Sequence, residues 1–314
     1  MGRGAATGHA DRILDAIDAD GAARSALIAS WKRSSQHGLD PADRSPPKRL
    51  TDAELAAARQ RVEPLIRAAQ DSLNRLYQAV GGSGCSVLLA DAEGVPVERR
   101  GAAGDDAVFE GWGLWTGAVW SEASEGTNGI GTCIVEKRLL TIARDQHFFS
   151  RNTLLSCTTA PIFDHTGALA GALDVSSCRA DLTEGMAGLI ALATGDAARR
   201  IEAEALRLAF PDARMVVAPG QAPDALLAID RHDMVVGATR AARMALGLPA
   251  GRAVPAEDVL LAPSIERLPD GERAVLQRAL ARAGGNVSAA ARTLGISRAT
   301  LHRKLARFRD AMSR

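Results

Sequence analysis

Cysteine, tyrosine and lysine are scarce in this chain of 314 residues, which has four, one and four of them, with aromatic residues at 4%. The cysteines stand at 85, 133, 157 and 178 without a C-x-x-C pair or a histidine at zinc-ligand spacing, so neither a structural zinc site nor a disulfide framework is expected. No metal and no cofactor is expected on these grounds. No stretch approaches eighteen consecutive apolar residues, and MGRGAATGHADRILDAIDAD has acidic residues where a signal peptide carries its apolar core. The expectation is a cytoplasmic protein with no membrane partner. None of Lys32, Lys48, Lys137 and Lys304 follows a glycine, so the phosphate loop G-x-x-x-x-G-K-[ST] is missing and no nucleotide hydrolysis is expected.

What is present is a globular composition, 46% hydrophobic and 24% charged, at a length that suits two domains with connecting helices. The net charge of +1 hides an asymmetry. From Asp270 to Arg314 there are ten Lys or Arg against three Asp or Glu, an excess of seven positive charges, which leaves the preceding residues with an excess of six negative ones. An acidic body with a basic tail suits a DNA-binding appendage, although a solvated charged helix has the same composition.

The pattern along the chain reads as α+β. Residues 10–35 read as helical, with Ile13, Leu14, Ile17, Leu27, Ile28 and Trp31 as apolar positions, and a proline-containing loop follows. A second helix starts at about Thr51, whose spacing from Glu54 fits a capping box, and runs to the glycines at 81, 82 and 84. CSVLLA, VPVERR, LLTIA, TTAPIFD and ALAGALDVS read as strands, the last two as a hairpin. A long helix over about 182–208 has Met186, Leu189, Ile190, Ala193, Ala197, Ile201, Ala205 and Leu208 at spacings of three and four, suited to packing on the sheet or on a symmetry mate. The expected organisation is an N-terminal helical region (1–80), an antiparallel sensor domain with its connecting helix (81–208), a short unit or spacer (211–262) and an all-α tail (266–314).

In the tail, GERAVLQRALARAGGNVSAAARTLGISRATLHRKLARFR divides into three helices by punctuation alone. Gly284 and Gly285 end the first, Asn286 caps the second, Gly295 lies in the turn after it, and Ser297 caps the third. Val275, Leu276, Ala279 and Leu280 form the inner face of the first helix, Ala290, Ala291 and Leu294 that of the second, and Leu301, Leu305 and Phe308 that of the third. Arg298, His302, Arg303 and Lys304 fall opposite the apolar stripe. The candidate DNA-contacting residues are Arg292, Ser297, Arg298, Thr300, His302, Arg303 and Lys304, with Arg298 the candidate base reader and the flanking cations on phosphates.

GNVSAAARTLGISRATLHRKL resembles the Fis-type helix-turn-helix at the C-terminus of bacterial enhancer-binding regulators. That resemblance implies binding to an inverted repeat of duplex DNA as a homodimer. WSEASEGTNGIGTCIVEKRLL (120–140), QHFFSRNTLLSCTTAPIFDHTGALAGALDVSS (146–177) and IASWKRSSQHGLDP (28–41) resemble the GAF sensor and N-terminal region of acetoin-catabolism-type activators. In these motifs Trp120, Thr127, Asn128, Cys133, His147 and Cys157 are candidate contacts for a small-molecule effector. The residues themselves leave alternatives open. GTNGIGT can cradle an anion or make a tight turn, Trp112, Trp115 and Trp120 can wall a pocket or fill a core, and free cysteines are small buried apolar groups or redox sites. Asp164 and Asp174, flanking the final hairpin, are expected to cap turns.

Regulators of this kind usually carry a nucleotide-hydrolysing domain between sensor and DNA-binding end, and 211–262 resembles instead the short PAS-like unit that precedes it. The implied function is a non-enzymatic transcription regulator that responds to a small molecule or a redox change, through operator affinity or contact with RNA polymerase. Two rivals remain. One is a GAF enzyme resembling cysteine-based methionine sulfoxide reductases, with Cys133 and Cys157 as the reacting pair. The other is a nucleoid-type architectural protein that binds DNA with little sequence preference.

Overall fold

The apolar run that opens the β region is buried along its whole length because the sheet it joins is covered on both faces. In the computed structural model of this chain, β1 (Cys85–Asp91) buries all seven of its residues. It lies inside a five-stranded antiparallel sheet with β2 (Pro96–Arg100), β3 (Leu140–Ala143), β4 (Ser156–Phe163) and β5 (Leu169–Ser177), in the order β2-β1-β5-β4-β3. The structure describes residues 3–19, 25–179, 181–249, 253–260, 275, 276, 279, 280, 283, 284 and 286–310, without the side chains of 3–7 and 306–310. The chain divides into two units, Met1–Val259 and Leu260–Arg314.

Alternation along the strands sends Val87, Leu89, Ala160, Ile162, Leu173 and Val175 to one face of the sheet, where they meet a helix pair. Its first member follows α1 (Arg3–Asp18) and α2 (Ala26–Gln36), the two helices into which residues 10–35 resolve. The Thr51 capping box is present and opens α3 (Asp52–Arg61), but the helix expected to run on to Gly81 breaks at Val62 (φ −108°, ψ 18°) and restarts as α4 (Glu63–Val80). Pro64 is the cause: it has no N–H to give Gln60, and it fits only in a first helical turn, where its N–H is not needed. Leu65, Ala68, Ala69, Leu73, Leu76 and Val80 then make the buried stripe of α4.

The opposite face of the sheet is covered by three short helices, α5 (Asp106–Gly111), α6 (Glu122–Glu125) and α7 (Gly129–Glu136). Leu88, Ala90 and Cys157 meet Phe109, Leu114, Trp120 and Ile130 there. This face also carries the hydroxyls and carboxylate of Thr159, Asp174 and Ser176, paired across β4 and β5 as Thr159 with Asp174 and Cys157 with Ser176.

The second helix of the pair is α8 (Glu184–Ala209), capped by Thr183. Ile190, Ala197 and Ile201 face the sheet, whereas Met186, Leu189 and Leu208 of the expected stripe are exposed. Its C-terminal end supports a second antiparallel sheet, β6 (Arg214–Val217), β7 (Leu226–Ile229), β8 (Met234–Ala238) and β9 (Val254–Pro255), with α9 (Arg240–Leu246) and α10 (Ala256–Leu260). β6 and β9 are the short edge strands of this sheet. Phe210 and Leu206 pack under Gly237, where a Cβ would come within 2.5 Å of the Phe210 ring. Glu202 of α8 accepts from the Phe163 N–H at 2.9 Å, and the Arg240 guanidinium stacks 3.8 Å from the Phe163 ring, so α8 and the β4–β5 turn both hold the small sheet. Among the described residues no helix is long and apolar enough to cross a membrane.

In the second unit α11 (Val287–Thr293) and α12 (Arg298–Asp310) enclose a small core of Leu276, Ala279, Ala290, Ala291 and Leu301. Val275, expected on the inner face, is 42% exposed. Gly285 and the Phe308 side chain lie outside the described residues.

Candidate functional site

The C-terminal unit is built from caps and small residues. The Asn286 side chain accepts from the Ala289 N–H at 3.1 Å and starts α11. Ala290 and Ala291 are buried, which lets α11 approach its neighbours closely. Gly295 turns the chain at φ +64°, a left-handed conformation that a side chain would strain. The Ser297 hydroxyl then accepts from the Thr300 N–H at 3.1 Å and contacts the Thr300 hydroxyl at 2.8 Å, opening α12.

With Leu301 fully buried, α12 can present only one face outward, and Arg298, His302 and Arg303 lie exposed on it. Arg292 is exposed at the end of α11, Lys304 is half-buried, and the Ser297 and Thr300 hydroxyls are engaged in the cap. The arrangement is a helix held by its apolar side against α11, with guanidinium and imidazole donors on its first two turns. Such a helix can enter a major groove and present bidentate donors to base edges.

In the first unit the motif residues build a lattice. Ser30 on α2 donates to Glu122 at 2.8 Å and contacts the Thr127 hydroxyl at 2.7 Å, and Arg33 donates Nε and Nη2 to the two Glu122 oxygens at 3.0 and 3.2 Å. Arg33 also reaches Glu136 of α7 at 3.4 Å, and Ser34 lies 3.3 Å from the Thr127 hydroxyl. Glu122, Thr127 and Thr132 are buried. The fork geometry and the added hydroxyl bond give both oxygens of this buried carboxyl group donors. Asn128 caps α7 with its Oδ1 on the Gly131 N–H at 2.8 Å, while its Nδ2 donates to the Gly126 and Trp120 carbonyls. The glycines of GTNGIGT serve close packing, for a Cβ at Gly129 would lie 2.6 Å from Cys157 and one at Gly131 would lie 2.4 Å from the Glu122 nitrogen.

The remaining sequence candidates are interior groups. Trp120 is buried with its indole N–H on the Gly113 carbonyl at 2.7 Å. Trp112 packs at the edge of the same cluster, and Trp115 lies under the Arg99 guanidinium at 4.2 Å. Cys133 and Cys157 are buried in separate clusters, and burial pushes both thiols up, so each stays protonated. His147 is fully buried, its carbonyl accepts from His9 at 3.1 Å, and burial pushes its pKa down to about 4. Among the described residues no group of three His, Cys, Asp or Glu side chains could hold a metal ion.

Asp164 caps the β4–β5 turn, accepting from the Thr166 and Ala168 N–H groups at 2.8 and 3.0 Å. Asp174 does not cap a turn. It is fully buried, accepting from the Thr159 hydroxyl at 2.5 Å and the Ser176 hydroxyl at 2.6 Å, and burial pushes its pKa up to about 6. Asp174 is thus an interior group where the sequence suggested a cap, and Ser30, Arg33, Glu122 and Glu136 are functional-site residues for which the sequence raised no expectation. The one available signal was the spacing of Ser30, Arg33 and Ser34, which puts three polar groups on one face of α2.

Residues 64–201 match the GAF domain family and residues 267–308 match the Fis family of bacterial regulatory proteins. The acetoin catabolism regulatory protein of Cupriavidus necator is 36% identical over 239 residues, covering 74% of this chain and 36% of that protein. The acetoin dehydrogenase operon transcriptional activator AcoR of Bacillus subtilis is 29% identical over 190 residues, 60% of this chain and 31% of its own length. The chain thus spans about a third of the length of these curated relatives. In fold, the chain is similar to the E. coli DhaR(N)–DhaL crystal structure, with a TM-score of 0.52 at 18% identity over 82% of this chain and 87% of that one. The chain carries a GAF domain and a Fis-family helix-turn-helix, and its relatives are acetoin-catabolism-type transcriptional regulators.

Proposed function

We propose that this chain is a cytoplasmic transcription regulator that binds an inverted repeat of duplex DNA through α12 as a homodimer and adjusts that binding through its GAF domain. The observation that carries the reading is the exposed row of Arg298, His302 and Arg303 on a helix whose opposite side is fixed by buried Leu301 and whose start is set by Ser297. Arg298 reads a base edge; Arg292, Arg303 and Lys304 contact phosphates. The effector is a small organic compound, in keeping with relatives that control acetoin genes. It acts by binding two arrangements of the sensor with different affinity, which changes operator occupancy or contact with RNA polymerase. No step of this cycle uses ATP, in keeping with a sequence that holds no phosphate loop.

The rival reading as a cysteine enzyme is disfavoured by the burial of both thiols in different clusters. A reacting pair needs access and a thiolate. The deciding experiment incubates the purified protein with fragmented genomic DNA at fixed salt and sequences what is retained. Enrichment of one inverted repeat is expected; retention that ignores sequence would support an architectural protein, and no retention would overturn DNA binding.

A further inference from the structure

The seam between α2 and the sensor domain encloses a cleft of about 150 Å³. Trp120, Cys157 and His147, the effector candidates of the sequence, are buried in the interior, and none of them lines this cleft. Its apolar wall is Leu27 of α2 with Leu140 and Ile142 of β3. Ser30 of α2, Thr132 of α7 and Gln146 beyond β3 supply polar atoms, and the ion pair of Glu136 with Arg138 completes the lining. An apolar wall with a few polar groups is the usual make-up of a small-molecule site. α2 lies outside residues 64–201, the part that matches the GAF family, so this cleft is complete only while the N-terminal helix is docked on the domain.

Size limits the occupant. A protein cavity of this volume accepts benzene, so about six non-hydrogen atoms fit and a nucleotide does not. The polar atoms limit its chemistry. Gln146 Oε1 accepts from the Ala143 N–H at 2.9 Å, which leaves the two amide N–H groups of that side chain without a partner among the described residues. Thr132 Oγ1 accepts from the Asn128 N–H at 3.2 Å, and its own proton has only the Ser30 oxygen, at a long 3.4 Å. Unused donors suit an occupant with oxygen acceptors. A charged occupant is not suited, because Arg138 donates to one Glu136 oxygen at 2.8 Å and Arg33 reaches the other at 3.4 Å, so the ionic groups of the lining answer one another. We infer that this cleft binds a small uncharged compound with carbonyl or hydroxyl oxygens on a short hydrocarbon skeleton. The inference rests on the effector reading and gives the effector a place and a class. Touching α2, α7 and β3 at once, the occupant favours the arrangement in which α2 is docked. Trp31, the neighbour of Ser30 on α2, donates its indole N–H to the Gln146 carbonyl at 2.8 Å and so reports on that docking.

Titration of the full chain with butanone, cyclopentanone and butanediol, followed by calorimetry and by tryptophan fluorescence, tests it, with butyrate and butylammonium as charged controls. At least one uncharged compound is expected to bind once per chain and to change the tryptophan signal. The charged controls should bind at least about ten-fold more weakly, since no opposite charge is free to receive them. Ala26→Phe, at an exposed position of the lining, fills the cleft and should abolish binding. Gln146→Glu keeps the acceptor for the Ala143 N–H but removes the amide donors, and should weaken binding about ten-fold. This near-isosteric variant keeps the proposal testable should Ala26→Phe displace α2, and tryptophan-monitored unfolding shows whether each variant is folded. Binding that survives both substitutions overturns the cleft as the site and leaves the effector reading intact. A preference for a charged control overturns the ligand class, and no binding of any uncharged compound overturns the proposal. Binding that both variants lose, but that leaves the operator affinity of the wild type unmoved, upholds the site and overturns the effector reading.

Discussion

The two units put their polar groups to opposite uses. Around the GAF sheet, the side chains with the most distinctive chemistry (Glu122, Thr127, Asn128, Asp174, His147) are buried and bonded to one another or to backbone. In the C-terminal unit a core of five buried residues, counted among the described ones, supports a helix whose polar groups face outward. A motif in the first unit specifies a shape, because an unpaired buried polar group is costly and each must find its partner. A motif in the second specifies a surface. The same substitution, a cation to alanine, should therefore cost stability in one unit and binding in the other.

The largest separation is expected at Arg33. Arg33→Ala leaves the Glu122 carboxylate buried with Ser30 as its main donor, and the first unit should lose about 3 kcal/mol, at the lower end of what breaking a buried pair costs because Arg33 is about a third exposed. The readout is specific, since all four tryptophans, Trp31, Trp112, Trp115 and Trp120, lie in the first unit. Urea unfolding followed by tryptophan fluorescence should shift to lower concentration, while DNA affinity measured in the absence of urea stays within about two-fold. An unchanged midpoint would show that the lattice is not what holds α2 to the sensor.

The second test turns on Asp174 and uses pH. The folded chain favours the protonated form, with a pKa of about 6 against an ordinary 3.8, so folding is penalised as pH rises through that interval and unpenalised below it. Relative to Asp174→Asn, the wild type should lose up to about 3 kcal/mol between pH 4 and pH 6 and keep a constant deficit above. His147 works in the other direction. Its folded pKa of about 4 against an ordinary 6.5 means that stability is lost as pH falls through that range, which is why the comparison is made between variants. A difference between wild type and Asp174→Asn that does not change with pH would mean the carboxyl is solvated in solution.

How far the sequence could be read divides along the same line. Caps and turns in the C-terminal unit were legible because Asn286, Gly295 and Ser297 act within three or four residues of themselves. Strand positions around the GAF sheet were legible from apolar runs. The pairing of Ser30 and Arg33 with Glu122 was not, because it joins positions about ninety residues apart and no local period announces it. Asp174 was misread for a related reason: its place before a turn-like stretch suggested a cap, and only the register that sets it opposite Thr159 shows it to be interior. The break at Val62 was visible in principle, since Pro64 stood in the sequence.

In the C-terminal unit the expected effects fall on recognition. Arg298→Ala should cost about 1–3 kcal/mol on the selected site and much less on random DNA, while Arg303→Ala should weaken both equally and lower the slope of log affinity against log salt by about 1. Fluorescence anisotropy at several salt concentrations separates the two. Equal losses on specific and random DNA for Arg298→Ala would reassign that residue to the phosphates.

The smallest effect is the most direct test of whether surface and shape are separable in this unit. Asn286→Ala removes one cap bond, worth about 1 kcal/mol, from a residue that lies on α11 and away from the exposed row of α12. If the row acts by being held rigid, the loss should appear in far-UV circular dichroism as an earlier transition without tryptophan change, and specific and random DNA should weaken by the same factor. A cap variant that alters the preferred sequence would mean that α11 sets the angle at which α12 meets the bases, and the division between a core that shapes and a face that reads would fail inside the smaller unit.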